Sequence, residues 1–291
     1  MKDYIILIDS SCDLPFTMVE KLKTHYLGLV CNFKGKEFID DCGQSLSYIE
    51  FYDELKKGEQ PFTGQINVFR FEEEFKKHVK DNKSILYIAF SSALSGTYNS
   101  SLVAREQILE EFEDADISIV DSRAASMGVG LLVYYACELK KQGKSKEEVL
   151  KWIENNKNNV CHFFTVDDLH HLKRGGRISA TAATFGSILN IKPILSVDEE
   201  GKLIPVTKVK GNKKAIKTLF DYFEKNVINH EDQTVFISHS DNLEGAKLLE
   251  KMIRDKYTVK DIIINYIGLA IGSHTGVGTV ALFFLGDKKQ H

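Results

Sequence analysis

The first half of the chain alternates short apolar runs with segments of helical periodicity. The apolar runs, each typical of a strand buried on both faces, cover residues 5–8, 27–33, 85–90 and 117–120. Helical patterns cover residues 68–79, 97–112 and 126–141. Two capping boxes, Ser47-x-x-Glu50 and Ser145-x-x-Glu148, predict helices that extend to about residues 57 and 156. This alternation indicates a mainly parallel sheet that helices cover on both faces.

The pattern changes near residues 157–160, and strands then come in pairs. Residues 193–197 and 203–209 flank the turn sequence Asp198-Glu199-Glu200-Gly201, which predicts a β-hairpin. Further helices and strands are predicted at residues 213–227, 234–238, 243–256, 262–266 and 279–285. We therefore predict an α/β protein with two domains. Residues 1–159 form an α/β domain with a parallel sheet, and residues 160–291 form an α+β domain with a mixed or antiparallel sheet.

Composition and charge narrow the classes of function. The 291 residues contain 38 Lys and Arg against 41 Asp and Glu, a net charge of −3, which argues against a nucleic-acid binder with a broadly basic surface. The sequence shows no secretory signal and no apolar stretch near the roughly 18 residues of a spanning helix. Five cysteines without a C-x-x-C motif are typical of free thiols in a reducing cytosol. We expect a cytoplasmic protein without a transmembrane segment.

Three segments of small and polar residues are candidates for ligand binding: Phe62-Thr63-Gly64-Gln65, residues 91–97 and residues 268–278. Ligands of an open parallel sheet lie beyond the carboxyl ends of its strands, where the first two segments are predicted. Ser95 and Gly96 stand at the start of a helix, whose free N–H groups suit a carboxylate or phosphate. Ser95 as a simple N-cap remains open, and the two roles do not exclude each other. His274, in a glycine-rich turn, is a general base, an anion-binding imidazolium or an ordinary loop histidine.

A basic segment, residues 172–178, carries three cations within five residues. It is either a solvated turn or an exposed docking patch. No metal site is predicted, because the only adjacent histidines, His170 and His171, point about 100° apart on a helix and no cysteine cluster accompanies them.

Taken together, these segments resemble the DegV family of bacterial fatty-acid-binding proteins. The motifs occur in the family's order and span nearly the whole chain: IDSSCDLP (8–15), FTGQ (62–65), SSALSGTYNS (91–100), VDS (120–122), LHHLKRGGRIS (169–179), ILNIKPIL (188–195) and AIGSHTGVG (270–278). Two positions depart from the family pattern. Gly64 with Ile66-Asn67 replaces the usual Ser and Pro after the threonine, and Val277 replaces a proline.

The resemblance implies a carrier rather than an enzyme, with two lobes around a long fatty acid such as palmitate in a buried apolar tunnel. It implies that Thr63, Ser95 and His274, together with Gly96, hold the acyl carboxylate. A separate fatty acid kinase would phosphorylate that carboxylate, with Arg174 assisting the docking of the two proteins. It implies no cofactor and no metal, and we expect a monomer.

Physical chemistry agrees with this reading but leaves alternatives open. A buried carboxylate needs hydrogen-bond donors, and a nearby carboxylate would favour a protonated His274. Apolar segments at 163–164, 185–194 and 262–267 are candidate tunnel walls, although periodicity does not separate a wall from an ordinary core. The main alternative is a hydrolase with Ser95 as nucleophile and His274 as base. An interaction module centred on the Arg174 segment is compatible with the carrier.

Overall fold

A computed structural model describes residues 3–179 and 190–287. Its strands are β1 Tyr4–Asp9, β2 His25–Leu27, β3 Val30–Phe33, β4 Lys36–Ile39, β5 Phe62–Gly64, β6 Ser84–Ala89, β7 Ile117–Asp121, β8 Val160–Thr165, β9 Ile191–Val197, β10 Leu203–Lys210, β11 Thr234–His239, β12 Asp261–Tyr266 and β13 Val280–Leu285. Its α-helices are α1 Phe16–Leu22, α2 Tyr48–Lys56, α3 Val68–Lys80, α4 Thr97–Glu111, α5 Met127–Lys141, α6 Lys146–Asn156, α7 His170–Arg174, α8 Asn212–Asn226, α9 Leu243–Lys256 and α10 Leu269–Thr275.

The strands form three sheets. The first is wholly parallel in the order β2-β1-β6-β7, as the alternating pattern predicted. The second has the order β10-β9-β8-β13-β11-β12 and is antiparallel except for the pair β11–β12, which makes it the predicted mixed sheet. The third is a small antiparallel sheet in the order β4-β3-β5. The α/β fold is therefore confirmed, while the division at residues 159 and 160 into two domains stays a prediction.

Helix α5 lies between the two large sheets. It contacts β1 and β6 of the first sheet and β8, β11 and β13 of the second. Its apolar residues are almost all buried, as expected for a helix that is hydrophobic all round. Its side chains join both sheets in one continuous hydrophobic core. The parallel and mixed sheets thus share a core, and a site can form where they meet.

The capping box predicted at Ser145 is present at the start of α6. Its hydroxyl accepts the N–H of Glu148 at 3.2 Å, and the Glu148 carboxylate accepts the N–H of Ser145 at 2.8 Å. Ser47 likewise accepts the N–H of Glu50 at 3.2 Å. These local signals place both helix starts correctly because each one involves only residues three positions apart.

The single strand predicted at residues 27–33 is wrong. The chain leaves the first sheet after Leu27 and enters the third sheet at Val30. A Cβ atom on Gly28 would lie 2.4 Å from the carbonyl oxygen of Asp40, so only glycine allows this close crossing. The hydroxyl of Ser10 accepts the N–H of Leu29 at 2.8 Å and holds the turn.

Two segments predicted as loops contain short helices. Helix α7 includes residues 172–174 at the start of the basic segment, and the glycine-rich turn contains α10, which carries His274. Buried carboxylates from distant segments accept the first N–H groups of α10: Asp13 from Gly268 at 2.9 Å and Asp40 from Ala270 at 3.0 Å. Tertiary partners therefore overcome the low helix propensity of glycine. No helix among the described residues is long and apolar enough to cross a membrane.

Candidate functional site

A cavity of about 200 Å³ lies between the carboxyl end of β6, the inner face of the second sheet and helix α10. Most of its wall is apolar: Leu29, Phe90, Leu94, Ala125, Phe164, Leu172, Val197, Leu203, Ile267, Ala270, Ile271, Ala281 and Phe283. From α10, the cavity is lined by Ala270, Ile271, His274 and Thr275, positions that share one face of a helix, so α10 presents a single side to the cavity. The cavity position agrees with the rule that ligands bind beyond the carboxyl ends of parallel strands.

Of the candidate tunnel walls, Phe164 and Ile267 line the cavity. Phe163 points to the opposite face of β8, where its ring stacks on Tyr222 of α8 at a centroid distance of 4.3 Å. The alternation of side chains along a strand explains why only one of the two phenylalanines reaches the cavity. Ile194 belongs to the core under α8, and residues 185–189 lie outside the described part of the chain.

Thr63 and His274 meet at the polar end of this cavity. The hydroxyl Oγ1 of Thr63 lies 2.8 Å from Nε2 of His274, although the two residues are 211 positions apart. Thr63 stands on β5, where it pairs with Cys31 of β3, and His274 stands in the last turn of α10. The structure thus brings together two of the three side chains for which the resemblance implied a shared role.

Ser95 and Gly96 lie on the same cavity wall, at the start of α4. Gly96 is the N-cap residue, so the alternative that placed Ser95 itself at the N-cap is wrong by one position. Ser95 Oγ accepts the N–H of Thr97 at 3.2 Å and lies 2.9 Å from its hydroxyl. A Cβ on Gly96 would lie 1.9 Å from the amide oxygen of Gln65. This close approach holds the Thr63 segment against the N-terminus of α4, where the helix dipole is positive.

His274 is neutral in this setting. Burial, followed by the charges of Arg177 and Arg174 and by His171, lowers the pKa of His274 from its usual 6.5 to about 4. Of the three roles left open by the sequence, the surroundings disfavour an imidazolium at neutral pH. A neutral ring donates from one nitrogen and accepts at the other, so it suits a hydrogen bond to Thr63 and to an anion.

Arg177 is a cavity residue that the sequence analysis did not select. Its guanidinium Nε donates to the carbonyl oxygen of Leu94 at 3.0 Å, and burial lowers its pKa. Arg174, which the resemblance favoured, is exposed, and its Nη2 lies 3.0 Å from His171 Nδ1. Both arginines belong to the same basic segment. The chain turns after α7, and this turn directs Arg177 into the cavity and leaves Arg174 on the surface.

Ser126 is a second missed wall residue, and it connects the cavity to a group of buried carboxyls. Its hydroxyl donates to Asp13 Oδ2 at 2.5 Å and lies 2.9 Å from the hydroxyl of Ser238. Burial raises the pKa of Asp13 well above its usual value, and burial raises that of Asp40 from 3.8 to about 7. These two acids cap α10, so their protonation is linked to the helix that carries His274.

The geometry does not support the Ser95 and His274 hydrolase. Nε2 of His274 is directed to Thr63, and Ser95 is engaged with Thr97. The charged neighbours that shift the pKa of His274 are cationic, whereas a catalytic triad needs a carboxylate beside the histidine. Thr63, Ser95 and His274 instead form a set of donors around one end of an apolar cavity.

Known proteins match this chain along nearly its whole length. The model of the DegV family, described as a family of uncharacterised proteins, matches residues 4–287. A DegV domain-containing protein of Clostridium perfringens is 57% identical over 290 residues and covers 100% of both chains.

Two solved structures from Thermotoga maritima are similar to this chain along their whole length. A DegV lipid-binding protein is 30% identical with a TM-score of 0.86 and covers 100% of both chains. A second protein, whose structure reveals a fatty-acid-binding function, is 31% identical with a TM-score of 0.85 and covers 98% of this chain and 100% of its own. The match of the family model and the identity to full-length relatives establish that this chain belongs to the DegV family.

Proposed function

We propose that this protein binds a long-chain fatty acid, with its carboxylate at the Thr63–His274 end of the cavity and its tail between the two large sheets. The observation that carries the proposal is the 2.8 Å contact between Thr63 Oγ1 and His274 Nε2 at the end of an otherwise apolar cavity. The fatty-acid-binding and lipid-binding functions of the two Thermotoga maritima relatives support it.

The polar end of the cavity has the donors that a carboxylate requires. Removing a carboxylate from water without hydrogen bonds costs several kcal/mol or more, so donors must replace the lost water. The hydroxyls of Thr63 and Ser95, the imidazole of His274 and the backbone at Gly96 surround this end. Arg177 adds a positive charge to the cavity wall. Its Nε donates to the carbonyl oxygen of Leu94, and this hydrogen bond holds the guanidinium in place.

The apolar wall has the surface that a hydrocarbon tail requires. Each buried CH₂ contributes about 0.8 kcal/mol, so a tail as long as that of palmitate gains on the order of 10 kcal/mol before ordering costs. Phe164, Ala281 and Phe283, on neighbouring strands of the second sheet, offer a continuous wall. The tail rather than the head group therefore supplies most of the affinity, and the head group fixes the orientation.

Mass spectrometry of lipid extracted from the purified protein tests the binding. We expect a long-chain fatty acid in the wild type and much less in the double variant Thr63→Val with Ser95→Ala. Thr218→Val is the matched control, because the Thr218 hydroxyl bonds to Lys214 within α8. A wild-type protein that carries no fatty acid, and gains no thermal stability from added palmitate, would show that the cavity serves another ligand.

We further propose that the protein is a carrier that presents the carboxylate to a fatty acid kinase, with Arg174 at the contact. Arg174 is exposed and lies in the same basic segment as Arg177, so a partner can reach it beside the polar end of the cavity. Exposed cations beside a site raise the rate at which an acidic partner surface associates.

Phosphate transfer from ATP with a purified fatty acid kinase tests this contact. We expect Arg174→Ala to lower the rate of acyl-phosphate formation and to leave the affinity for fatty acid unchanged. Lys173→Ala, which removes a neighbouring exposed cation, is the matched control. Unchanged transfer in Arg174→Ala, or an equal loss in Lys173→Ala, would move the contact away from Arg174.

A further inference from the structure

A cluster of two histidines and a glutamate lies outside the cavity. Within the described residues, His25, Glu74 and His78 form the only group of three His, Cys, Asp or Glu side chains arranged to hold a metal ion. One ligand atom from each of the three lies within 4.8 Å of those of the other two. His25 begins the edge strand β2, and Glu74 and His78 are on α3.

The fold, and not a local motif, creates this cluster. Glu74 and His78 are four positions apart on α3, so both side chains project from one face of the helix. Edge strand β2 then brings His25 to that face, where its ring meets the ring of His78 at a centroid distance of 4.2 Å. A search of the sequence for metal-ligand spacing misses the group because His25 precedes Glu74 by 49 residues (74 − 25).

The side chains of the cluster already lie against one another. Nε2 of His78 is 2.7 Å from Oε1 of Glu74, and the rings of His25 and His78 meet edge to face. The ammonium group of Lys77 lies 4.0 Å from Glu74 Oε1, but its side chain is 63% exposed and free to move aside.

His78 gives a second, independent indication of a ligand. Its side chain is only 2% exposed, and its Nδ1 makes no hydrogen bond with any described residue. A buried imidazole nitrogen without a partner is costly, and the salt bridge from Nε2 to Glu74 within α3 leaves that cost in place. A metal ion bound to Nδ1 would supply the missing partner.

We propose that His25, Glu74 and His78 bind a transition-metal dication of the Zn²⁺ class and so fasten edge strand β2 to helix α3. Two imidazoles and one carboxylate suit Zn²⁺, Co²⁺ and Ni²⁺, whereas Mg²⁺ and Ca²⁺ prefer oxygen ligands alone. With bonds of about 2.1 Å, tetrahedral ligand atoms lie about 3.4 Å apart, so the side chains need to adjust by roughly 1.4 Å at most. A water molecule completes the four ligands.

Calorimetric titration of the untagged full chain with Zn²⁺, after treatment with a chelator and removal of the chelator, tests the proposal. We expect one site per chain, visible absorption when Co²⁺ replaces Zn²⁺, and no comparable binding of Mg²⁺. Loss of one protein ligand is expected to weaken Zn²⁺ binding by about 100-fold. Replacement of a residue that only hydrogen-bonds to a metal ligand weakens binding by about 10- to 100-fold, and loss of a ligand itself should cost at least as much. His25→Ala and Glu74→Gln are the test variants, since both side chains are less buried than His78 and are less critical for folding.

His170→Ala and Glu73→Gln are the matched controls, because they remove an exposed histidine and an exposed neighbour of Glu74. Added Zn²⁺ should raise the melting temperature of the wild type and of both controls, but not of the two test variants. Absence of a site in the wild type, or equal binding by His25→Ala and Glu74→Gln with normal melting curves, would overturn the proposal. Loss of binding in His170→Ala alone would instead assign the ion to the surface of α7.

Discussion

Replacement of Gly175 by alanine tests the placement of His274 most directly. Gly175 follows α7 with φ −72° and ψ −8°, a conformation that alanine adopts without strain. A Cβ at this position would nevertheless lie 2.1 Å from Nδ1 and 2.9 Å from Cε1 of His274. Ordinary contact begins near 3.4 Å, so the imidazole has to shift by about 1.3 Å. We expect the Thr63–His274 hydrogen bond, 2.8 Å long, to be lost.

The same shift moves the imidazole away from the proposed position of the fatty-acid carboxylate, so its hydrogen bond to that charged group is lost as well. A hydrogen bond to a charged group contributes about 1.5–3 kcal/mol, and about 1.4 kcal/mol corresponds to a factor of ten. Gly175→Ala should therefore weaken the binding of a long-chain fatty acid by roughly 10- to 150-fold. Displacement of a fluorescent fatty acid by palmitate measures this affinity, and the melting temperature of the lipid-free protein measures folding in parallel.

Gly176 supplies the control for this experiment. It has φ +71°, and a Cβ there would meet nothing within 4 Å, so Gly176→Ala strains the backbone of the same turn without touching His274. The left-handed conformation costs alanine about 1–2 kcal/mol of stability. If Gly175→Ala binds fatty acid as the wild type does, or if Gly176→Ala loses as much affinity, the imidazole of His274 does not contact the carboxylate.

Two further predictions concern α10 and the tail. Because the folded pKa of Asp40 is raised from 3.8 to about 7, its ionisation opposes folding as the pH rises through that range, by at most about 1.4 kcal/mol per pH unit. Asp40→Asn should remove this dependence of stability on pH. The free energy of unfolding of the variant, relative to that of the wild type, should therefore rise from pH 4 to 7 and level off above pH 7. Urea unfolding measures it, and an equal pH dependence in both proteins would contradict the prediction. Ala281→Leu fills the cavity wall and should shift the extracted lipid toward shorter chains; an unchanged chain-length profile by mass spectrometry would place the tail elsewhere.

The elements that the sequence predicted well depend on neighbours along the chain. The Ser145 capping box and the hairpin around Gly201 rely on contacts within a few residues, and both occur as expected. Apolar runs such as the one at residues 85–90 identify buried strands because a strand covered on both faces has no polar side.

The features that sequence analysis missed depend on distant partners. Four glycines in the segment 268–278 argue for a turn, but Asp13 and Asp40 cap its first N–H groups and make α10 a helix. Arg174 and Arg177 have the same local signature, and only packing against the Leu94 carbonyl distinguishes the inner one. The ligand set of Thr63, Ser95 and His274 came from resemblance, since spacing alone gives no reason to group three such distant residues.

The position of β13 has a consequence for the biosynthesis of this protein. It lies in the middle of the second sheet, between β8 and β11, although it is the last strand of the described chain. A ribosome therefore releases β8 and β11 long before the strand that joins them, and His274 emerges just ahead of it. A nascent chain that stops before β13 therefore lacks Ala281 and Phe283 of the apolar wall, so the cavity cannot close around a ligand until this last strand has been added.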